Sequence, residues 1–259
     1  MTALLMNMRP FALAALFVVA TFGTGGSSQA QQAAKVYRVG ALFNRAPNQD
    51  DQDVELLRQG LGGNVIGITN HDPELATRQL KVLREIFPKL DRVAILSDAD
   101  IPGADSSGFA PIERSNIAAA RAMKITPQVL KLRGPAPDFD AAFSAMAAEK
   151  AEVLVVLEVP VPFGNRKRIA EMAAARRLPT MFWGGASTAG GMMSYGTSFA
   201  DGYPLMPVVI DRILKGAKPA DTPFEVVSRR EFVVNHAIAR ALGVIIPEAV
   251  LKRADRILD

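Results

Sequence analysis

Arg92-Val-Ala-Ile-Leu96 and Val153-Leu-Val-Val-Leu157 decide the fold, because both are nearly continuous apolar runs of strand length. A parallel strand covered on both faces has this unbroken pattern, whereas a strand with one wet face alternates. Gln128-Val-Leu-Lys-Leu132 and Thr180-Met-Phe-Trp183 add two further short strands. With helical patterns between them, these strands predict a parallel α/β sheet over residues 91–183.

Helical spacing separates the strands at Pro73–Phe87, Pro111–Met123 and Asn165–Arg177, and Asp138 is a suitable N-cap for a further helix. Ligands of such sheets bind beyond the carboxyl ends of the strands, where helices also begin. The loops of interest therefore follow Phe43, Leu96, Leu157, Trp183 and Tyr195.

Outside this region the patterns are weaker. Val36–Phe43 and Asn64–Thr69 are predicted strands, and Leu205–Leu214 is a predicted helix. Phe224–Val234 alternates weakly, which predicts either a strand pair or one long edge strand. Two short helices, broken at Gly243 and Pro247, are expected at the end of the chain.

Residues 1–30 differ from the rest of the chain. They contain a single charge, Arg9, then the apolar run Phe11–Ala20 and a Gly/Ser/Gln-rich stretch that ends at Ala30. This order is typical of a secretory signal peptide, and the apolar run is shorter than the ~20 residues of a membrane span. We expect cleavage after residue 30 and a periplasmic protein.

Composition excludes several classes of function. The 259 residues include no Cys, which removes disulfides, thiolate zinc sites and cysteine nucleophiles. The net charge of +4 is spread along the chain, so we expect no nucleic-acid partner. His71 and His236 lack ligand spacing, and Gly60–Gly67 matches no nucleotide loop, so neither a metal nor a cofactor is expected.

One stretch points to catalysis. Gly185-Ala-Ser187-Thr-Ala189 approximates a nucleophile elbow, and Ser187, Asp221 and His236 follow in hydrolase order. A helix should follow the serine, but Ala189-Gly-Gly191 would break one. A secreted serine hydrolase that uses Ser187 stays as the alternative.

Aromatic residues also collect at strand ends: Phe43, Phe163, Phe182, Trp183 and Tyr195. They either line a site for an amphipathic solute or cap the core. Both interpretations stay open for Phe43 and Phe182, whereas the Gly-rich turns beside Trp183 and Tyr195 favour a site.

From about residue 62 to the end, the chain resembles the solute-binding components of tryptophan/tyrosine-type ABC importers. The matching stretches are Gly62–Gly67, Asp91–Leu96, Phe139–Phe143, Gly191–Gly196, Ile213–Asp221, Ile246–Leu251 and Arg253–Asp255. The resemblance implies a type I periplasmic-binding-protein-like α/β fold, with two parallel-sheet lobes and a hinge. Residues 36–70 and 186–259 would form the first lobe, and residues 71–185 the second. The implied ligand-binding residues are Asn44, Thr69, Ser97, Asp98, Glu158, Trp183, Ser194 and Tyr195.

In such a site Asp98 or Glu158 would hold an ammonium group, and Trp183 or Tyr195 would stack on the apolar part of the solute. Helix N-terminal N–H groups with Ser194 would hold a carboxylate. The family commonly has Asn-Pro where this chain has Asp98-Ala99, and Pro-Asp-Pro where it has Glu158-Val-Pro160. The displaced acidic group leaves the identity of the solute open.

The resemblance also implies that the first lobe is truncated. Only about 18 residues, Asn44–Leu61, separate the first predicted strand from Gly62–Gly67, where the family has further βα units of ~30 residues each. We therefore expect a smaller, less stable first lobe and weakened solute binding, or a remnant that binds nothing. The implied partners are a small organic solute and the membrane subunits of an ABC permease, and we expect a monomer that captures its solute without catalysis.

Export can be tested directly. We expect the mature protein to begin at or near Gln31, because Ala30 ends the segment that has signal-peptide character. N-terminal mass spectrometry of the periplasmic fraction measures this. An intact Met1 on the bulk of the cellular protein would contradict it.

Overall fold

The computed structural model describes residues 67–70, 72–101, 103–186, 189–197 and 199–259. The strands are β1 (Ile68–Thr69), β2 (Arg92–Asp98), β3 (Thr126–Leu132), β4 (Val153–Val156), β5 (Thr180–Phe182), β6 (Met193–Gly196), β7 (Glu225–Val226), β8 (Glu231–Asn235) and β9 (Arg256–Leu258). The helices are α1 (Leu75–Ile86), α2 (Pro111–Ala122), α3 (Phe139–Ala148), α4 (Pro160–Gly164), α5 (Arg166–Ala175), α6 (Met206–Leu214), α7 (His236–Leu242) and α8 (Glu248–Leu251). Two 3-10 segments span Phe199–Leu205 and Pro219–Asp221.

Seven strands form one sheet in the order β3-β2-β4-β5-β6-β8-β9. The neighbours from β3 to β6 are all parallel, with Leu96 opposite Val156 and Phe182 opposite Ser194. Strand β8 is antiparallel to β6, and β9 is parallel to β8. The predicted parallel α/β sheet is confirmed.

Both faces of the central strands are covered, which explains their unbroken apolar sequence. On one face Val93 and Val155 pack in a cluster with Leu83 of α1. On the other face Leu96 and Leu154 belong to a cluster that holds α3 and α5. Alternate residues of β2 and β4 therefore serve opposite layers of helices.

Several local predictions agree with the structure. The predicted helices over 73–87 and 111–123 appear as α1 and α2, and the Asp138 side chain accepts a hydrogen bond of 2.9 Å from Ala141 N at the start of α3. The helix predicted from Asn165 is preceded by the short helix α4. Strand β9 was not predicted, since its three residues are largely exposed and carry no readable pattern.

The prediction that Phe224–Val234 forms a strand pair or one edge strand is wrong. Strand β7 pairs with β1 in a separate two-stranded parallel sheet, whereas β8 belongs to the large sheet. Residues 227–230 carry the chain from one sheet to the other. Alternation of apolar residues cannot reveal which sheet a short strand joins.

The small sheet has a core of its own, in which Ile68, Val209 and Val227 pack with Met206 and Ile213 of α6. The large sheet, however, continues past residue 185 through β6, β8 and β9. These strands were expected in the first lobe, but Met193 and Val234 bury their side chains in the same cluster as α1. Residues 36–66 lie outside the described residues, so the division into lobes stays a prediction.

The chain passes between the two sheets three times, after Thr69, after Gly196 and after Val226, and we call these segments the crossings. Hydrogen bonds join them. Thr197 Oγ1 donates to Asn70 O at 2.7 Å, and Val227 N donates to Thr69 O at 2.7 Å. The link between the sheets is therefore a bonded bundle of three segments.

Asp72 ties the first crossing to the third. Its side chain is 3% exposed, and its carboxylate accepts from Arg230 Nε at 2.6 Å and from Glu74 N at 3.0 Å. Burial by itself would raise the pKa of Asp72. The hydrogen bond from Arg230, the one from Glu74 N and the charges of Arg230 and Arg78 outweigh burial, so the pKa is lowered.

Because its pKa is lowered by folding, Asp72 stabilises the protein above the ordinary Asp pKa of about 3.9, and this contribution is lost as the pH falls through the lowered value. Asp72→Asn should lower the unfolding free energy by about 1–3 kcal/mol at pH 7. Urea unfolding of the wild type and the variant at pH 7 and near pH 3 measures this loss of free energy, which should be smaller at the lower pH.

The control is Asp105→Asn, since Asp105 also has a lowered pKa, caused first by the hydrogen bond from Ser107, but lies exposed in a loop. It should cost less than Asp72→Asn. A loss for Asp72→Asn that is equal at both pH values would show that the ion pair does not stabilise the crossings.

No helix among the described residues is long and apolar enough to cross a membrane. The predicted signal peptide, residues 1–30, and the predicted strand Val36–Phe43 lie outside the described residues.

Candidate ligand-binding site

The candidate residues at the strand ends share one edge of the large sheet. Ser97 and Asp98 end β2, Glu158 follows β4 by two residues, and Trp183 directly follows β5. Because β2, β4 and β5 are parallel neighbours, all four side chains lie at the same edge, as predicted. Their role in binding stays a prediction.

A small cleft of about 60 Å³ opens at this edge. It lies between the first crossing, the starts of α1 and α2, and the ends of β4 and β5. Its polar side chains include Asn70, Asp72, Gln79, Asn116, Glu158 and Thr197, and its apolar side chains include Leu75, Ile112 and Trp183. The mixture of one ring, aliphatic groups and convergent polar atoms suits a small organic solute.

Glu158 is one of two acids that line the cleft, the other being Asp72, which pairs with Arg230. Glu158 is 8% exposed, and its Oε2 accepts a hydrogen bond of 2.8 Å from Asn70 Nδ2. Asn70 lies in the first crossing, directly after the small sheet, and Glu158 follows β4, so this bond joins the crossing to the large sheet. Thr69, another candidate ligand-binding residue, is buried in β1, and its carbonyl accepts a hydrogen bond from Val227 N.

Asp98 performs a different task. Its Oδ2 accepts from Val161 N at 3.0 Å and its Oδ1 from Asp100 N at 2.9 Å. Both oxygens thus hold backbone N–H groups, one at the start of α4 and one in the turn after β2. Asp98 also does not line the cleft, so Glu158 is the better placed of the two acids for a solute's ammonium.

Ser97 and Ser194 are fully buried, and neither hydroxyl has a hydrogen-bond partner among the described residues. Ser97 lies on the face of β2 that carries Val93 and Ile95, towards α1 and α2. Ser194 lies opposite Phe182 in β6. Neither lines the cleft, so their predicted contact with a solute requires a rearrangement of this edge.

Trp183 is the aromatic residue that lines the cleft. Its ring stacks on Phe163 with centroids 5.7 Å apart and meets Phe182 edge-on at 5.6 Å. Phe182 is completely buried, which settles it as a core residue. Tyr195 packs edge-on against Phe232 and does not line the cleft, so its predicted stacking on a solute has no support in this geometry.

Glycines allow the strand ends beside Trp183 to approach each other. A Cβ on Gly184 would lie 2.0 Å from the carbonyl oxygen of Gly196, and Gly196 itself has φ +135°. Only glycine fits both positions, because L side chains rarely adopt that φ and the backbones leave no space.

The described residues give no support to the serine hydrolase alternative. Ser187 lies outside the described residues, as does Asn44. The carboxylate near His236 is that of Asp259, with 3.5 Å between Nδ1 and Oδ1, and no ion pair with Asp221 is found in the described part of the chain. His236 also follows β8, whose carboxyl end lies at the edge opposite the cleft. Within the described ranges, no group of three His, Asp or Glu residues could hold a metal.

A larger hollow of about 540 Å³ lies elsewhere, beside the edge strand β3 and the alanines of α3. This hollow is open, and neither Trp183 nor Glu158 lines it. We therefore place the candidate site at the smaller cleft.

Gln79 and Asn116 were not predicted as site residues. Gln79 is buried on a face of α1 that is otherwise apolar, and its Nε2 donates to the carbonyls of Phe182 and Tyr195. Asn116 is buried in α2, whose buried face also holds Glu113. A polar residue within an apolar helical stripe is the sequence signal that could have identified Gln79.

The sequence was also compared with known protein families. The sequence model of the family described as ABC transporter substrate binding protein matches residues 56–258. The chain belongs to this family. No curated protein matches it.

Solved structures show that this substrate-binding protein has the type I periplasmic-binding fold. An ABC domain from Streptococcus pneumoniae in complex with L-Trp has a TM-score of 0.63 at 24% identity, over 78% of this chain and 70% of that one. A conserved domain protein from Vibrio cholerae has a TM-score of 0.64 at 22% identity, over 76% and 64%. A ligand-free, open substrate-binding protein from Clostridium difficile with adhesive properties has a TM-score of 0.50 at 15% identity, over 75% and 62%. The substrate-binding protein therefore spans less than two thirds of the length of the last two.

The stack of Phe163 on Trp183 can be tested by fluorescence, because Trp183 is the sole tryptophan of the chain. Phe163→Ala should expose the indole to water and shift its emission to the red. It should also lower the unfolding free energy by about 1 kcal/mol, the typical contribution of an aromatic pair. The control is Phe109→Ala, which removes a ring that contacts Lys131. Unchanged emission in Phe163→Ala would show that the stack is absent in solution.

Proposed function

We propose that this protein captures a small organic solute of amino-acid type in the cleft and delivers it to the membrane subunits of an ABC permease. The observation that carries the proposal is the cleft itself. It brings a buried acid, Glu158, and the indole of Trp183 together at the edge where parallel strands end. Asn70 of the first crossing and Thr197 of the second also line it, so a movement of the small sheet about the crossings would change the width of the cleft.

Each part of an amino acid finds a complementary group. The ammonium group would pair with Glu158, and an aromatic or branched side chain would lie against Trp183. Helix α2 begins beside the cleft, where Ile112 and Ser115 line it, so the positive end of its dipole faces a solute carboxylate. The L-Trp of the Streptococcus pneumoniae structure supports a solute of this class.

The signal-like residues 1–30 and membership of the family support a periplasmic location. Delivery requires a permease that distinguishes the closed protein from the open one, and a single chain is sufficient for this. We propose a monomer for that reason.

A thermal-shift screen over the amino acids and small carboxylates tests the proposal. A solute present at 100 times its Kd stabilises the folded protein by about 2.7 kcal/mol. We expect one or more amino acids with aromatic or branched side chains to raise the Tm and to change the emission of Trp183 in a saturable manner. Trp183→Leu should weaken binding about five- to tenfold, since the lost stacking is of order 1 kcal/mol.

Phe109→Ala is the matched control and should leave the affinity unchanged. A first lobe truncated as the sequence predicts should give micromolar or weaker affinity, which calorimetry measures. If no compound stabilises the protein at millimolar concentration, the chain is a remnant that does not bind, and the proposal is wrong.

A further inference from the structure

Gln79 of α1 is held at the carboxyl ends of β5 and β6. Its Nε2 donates to Tyr195 O at 2.9 Å and to Phe182 O at 3.3 Å. A carboxamide nitrogen carries two hydrogens, so these two bonds use its full capacity as a donor. They also fix the orientation of the carboxamide, because an oxygen in place of Nε2 would face two carbonyl oxygens.

The oxygen of the same carboxamide, Oε1, has no hydrogen-bond partner among the described residues. Two other unpartnered oxygens at this edge of the sheet, Ser97 Oγ and Ser194 Oγ, are sealed from solvent, whereas Gln79 Oε1 is not. Gln79 is only 4% exposed as a residue, and it lines the cleft. Because the hydrogens of Nε2 point to the strand ends, the oxygen is the part of the side chain that can be reached from the cleft.

Gln79 and Trp183 belong to the same structural unit. Trp183 directly follows Phe182, whose carbonyl Gln79 holds. Helix α1 packs on the large sheet through Leu83, which lies in one cluster with Val93 of β2. The spacing between the Gln79 oxygen and the Trp183 ring is therefore set within the large sheet, and it does not depend on the crossings.

An acceptor in this position selects its partner. An N–H or O–H group of a solute can bond to it, whereas a carboxylate oxygen would place lone pair against lone pair. A hydrocarbon group would desolvate the oxygen and return no bond. Sites that present a polar atom in this way reject analogues that lack the complementary group.

Asn116, the other buried amide that lines the cleft, does not impose the same direction. Its Nδ2 donates to Ile112 O of its own helix at 2.9 Å, which uses one of its two hydrogens. Asn116 can therefore meet either a donor or an acceptor of a solute. The selective group is the carboxamide of Gln79.

We infer that Gln79 determines the specificity of the cleft, and that its Oε1 accepts a hydrogen bond from an N–H or O–H group on the side chain of the solute. This inference rests on the proposed function, in which that side chain lies against Trp183. It narrows the solute to compounds whose side chain carries a donor, and it places the solute carboxylate away from Gln79.

Two pairs of solutes, each differing in one donor, test this by isothermal titration of the full chain. L-tryptophan is compared with benzothienyl-L-alanine, in which sulfur replaces the ring N–H. L-tyrosine is compared with L-phenylalanine, which lacks the O–H. We expect the wild type to prefer the donor in at least one pair by about three- to tenfold, the range for an uncharged hydrogen bond.

Gln79→Met removes the acceptor and suits the otherwise apolar buried face of α1. In this variant the ratio of the two affinities within the pair should fall to about one. Loss of the bonds to Phe182 and Tyr195 would by itself weaken both members of a pair equally, so the ratio isolates the contribution of the oxygen. Gln79→Leu replaces this variant if it does not fold.

Gln128→Met is the matched control. Gln128 Nε2 also donates to a backbone carbonyl, that of Ala145 at 3.0 Å, and its Oε1 is also without a partner among the described residues. Gln128 lies on the edge strand β3 and does not line the cleft. The control should keep the preference of the wild type.

Loss of the preference in Gln79→Met, with its retention in Gln128→Met, would support the inference. A preference that persists in Gln79→Met would overturn it, since another group would then be the acceptor. Loss of the preference in both variants would overturn it too, because the effect would not be specific to the cleft.

Absence of any preference in the wild type would also overturn the inference, while binding of either member of a pair would leave the proposed function standing. Absence of binding by all four solutes would overturn the inference as well. The thermal-shift screen over the other amino acids then decides separately whether the proposed function fails.

Discussion

Burial of β2 and β4 on both faces is the constraint on which the rest of the structure depends. Val93 and Leu96 serve opposite layers, so each strand needs a helix above and a helix below. Parallel strands meet this requirement, because every return through a helix covers one face. The same geometry brings the carboxyl ends of β2, β4, β5 and β6 to one edge. The candidate site therefore follows from the way the core is covered.

The second determinant is the bundle of three crossings. The small sheet has little core of its own, built around Ile68, Val209 and Val227. Its position relative to the large sheet depends on directed bonds, among which are the pair of Asp72 with Arg230 and the bond from Thr197 to the Asn70 carbonyl. Such bonds fix geometry without burying much apolar surface, so the two sheets can move relative to each other at lower cost than the strands within one sheet. The cleft is lined in part by the first and second crossings, so its width would change with such a movement.

Buried acids at this edge of the sheet differ in the groups that they hold, and position in the chain does not distinguish them. Asp98 and Glu158 are both buried acids at strand ends. Asp98 is committed to the backbone N–H groups of Val161 and Asp100, whereas Glu158 faces Asn70 across the cleft. The difference arises because α4 begins directly above the end of β2, which no local pattern of residues reveals.

The sequence by itself determined the class of the fold and the edge at which a ligand could bind. Continuous apolar runs such as Val153–Val156 require cover on both faces, and the helices between them require parallel order. Tertiary structure alone decided the rest: that β7 and β8 join different sheets, that Tyr195 packs on Phe232, and that Asn70 reaches Glu158. Local sequence encodes periodicity and caps, but the partners of a short strand or a buried side chain are set by segments far away in the chain, 88 residues away for Asn70 and Glu158.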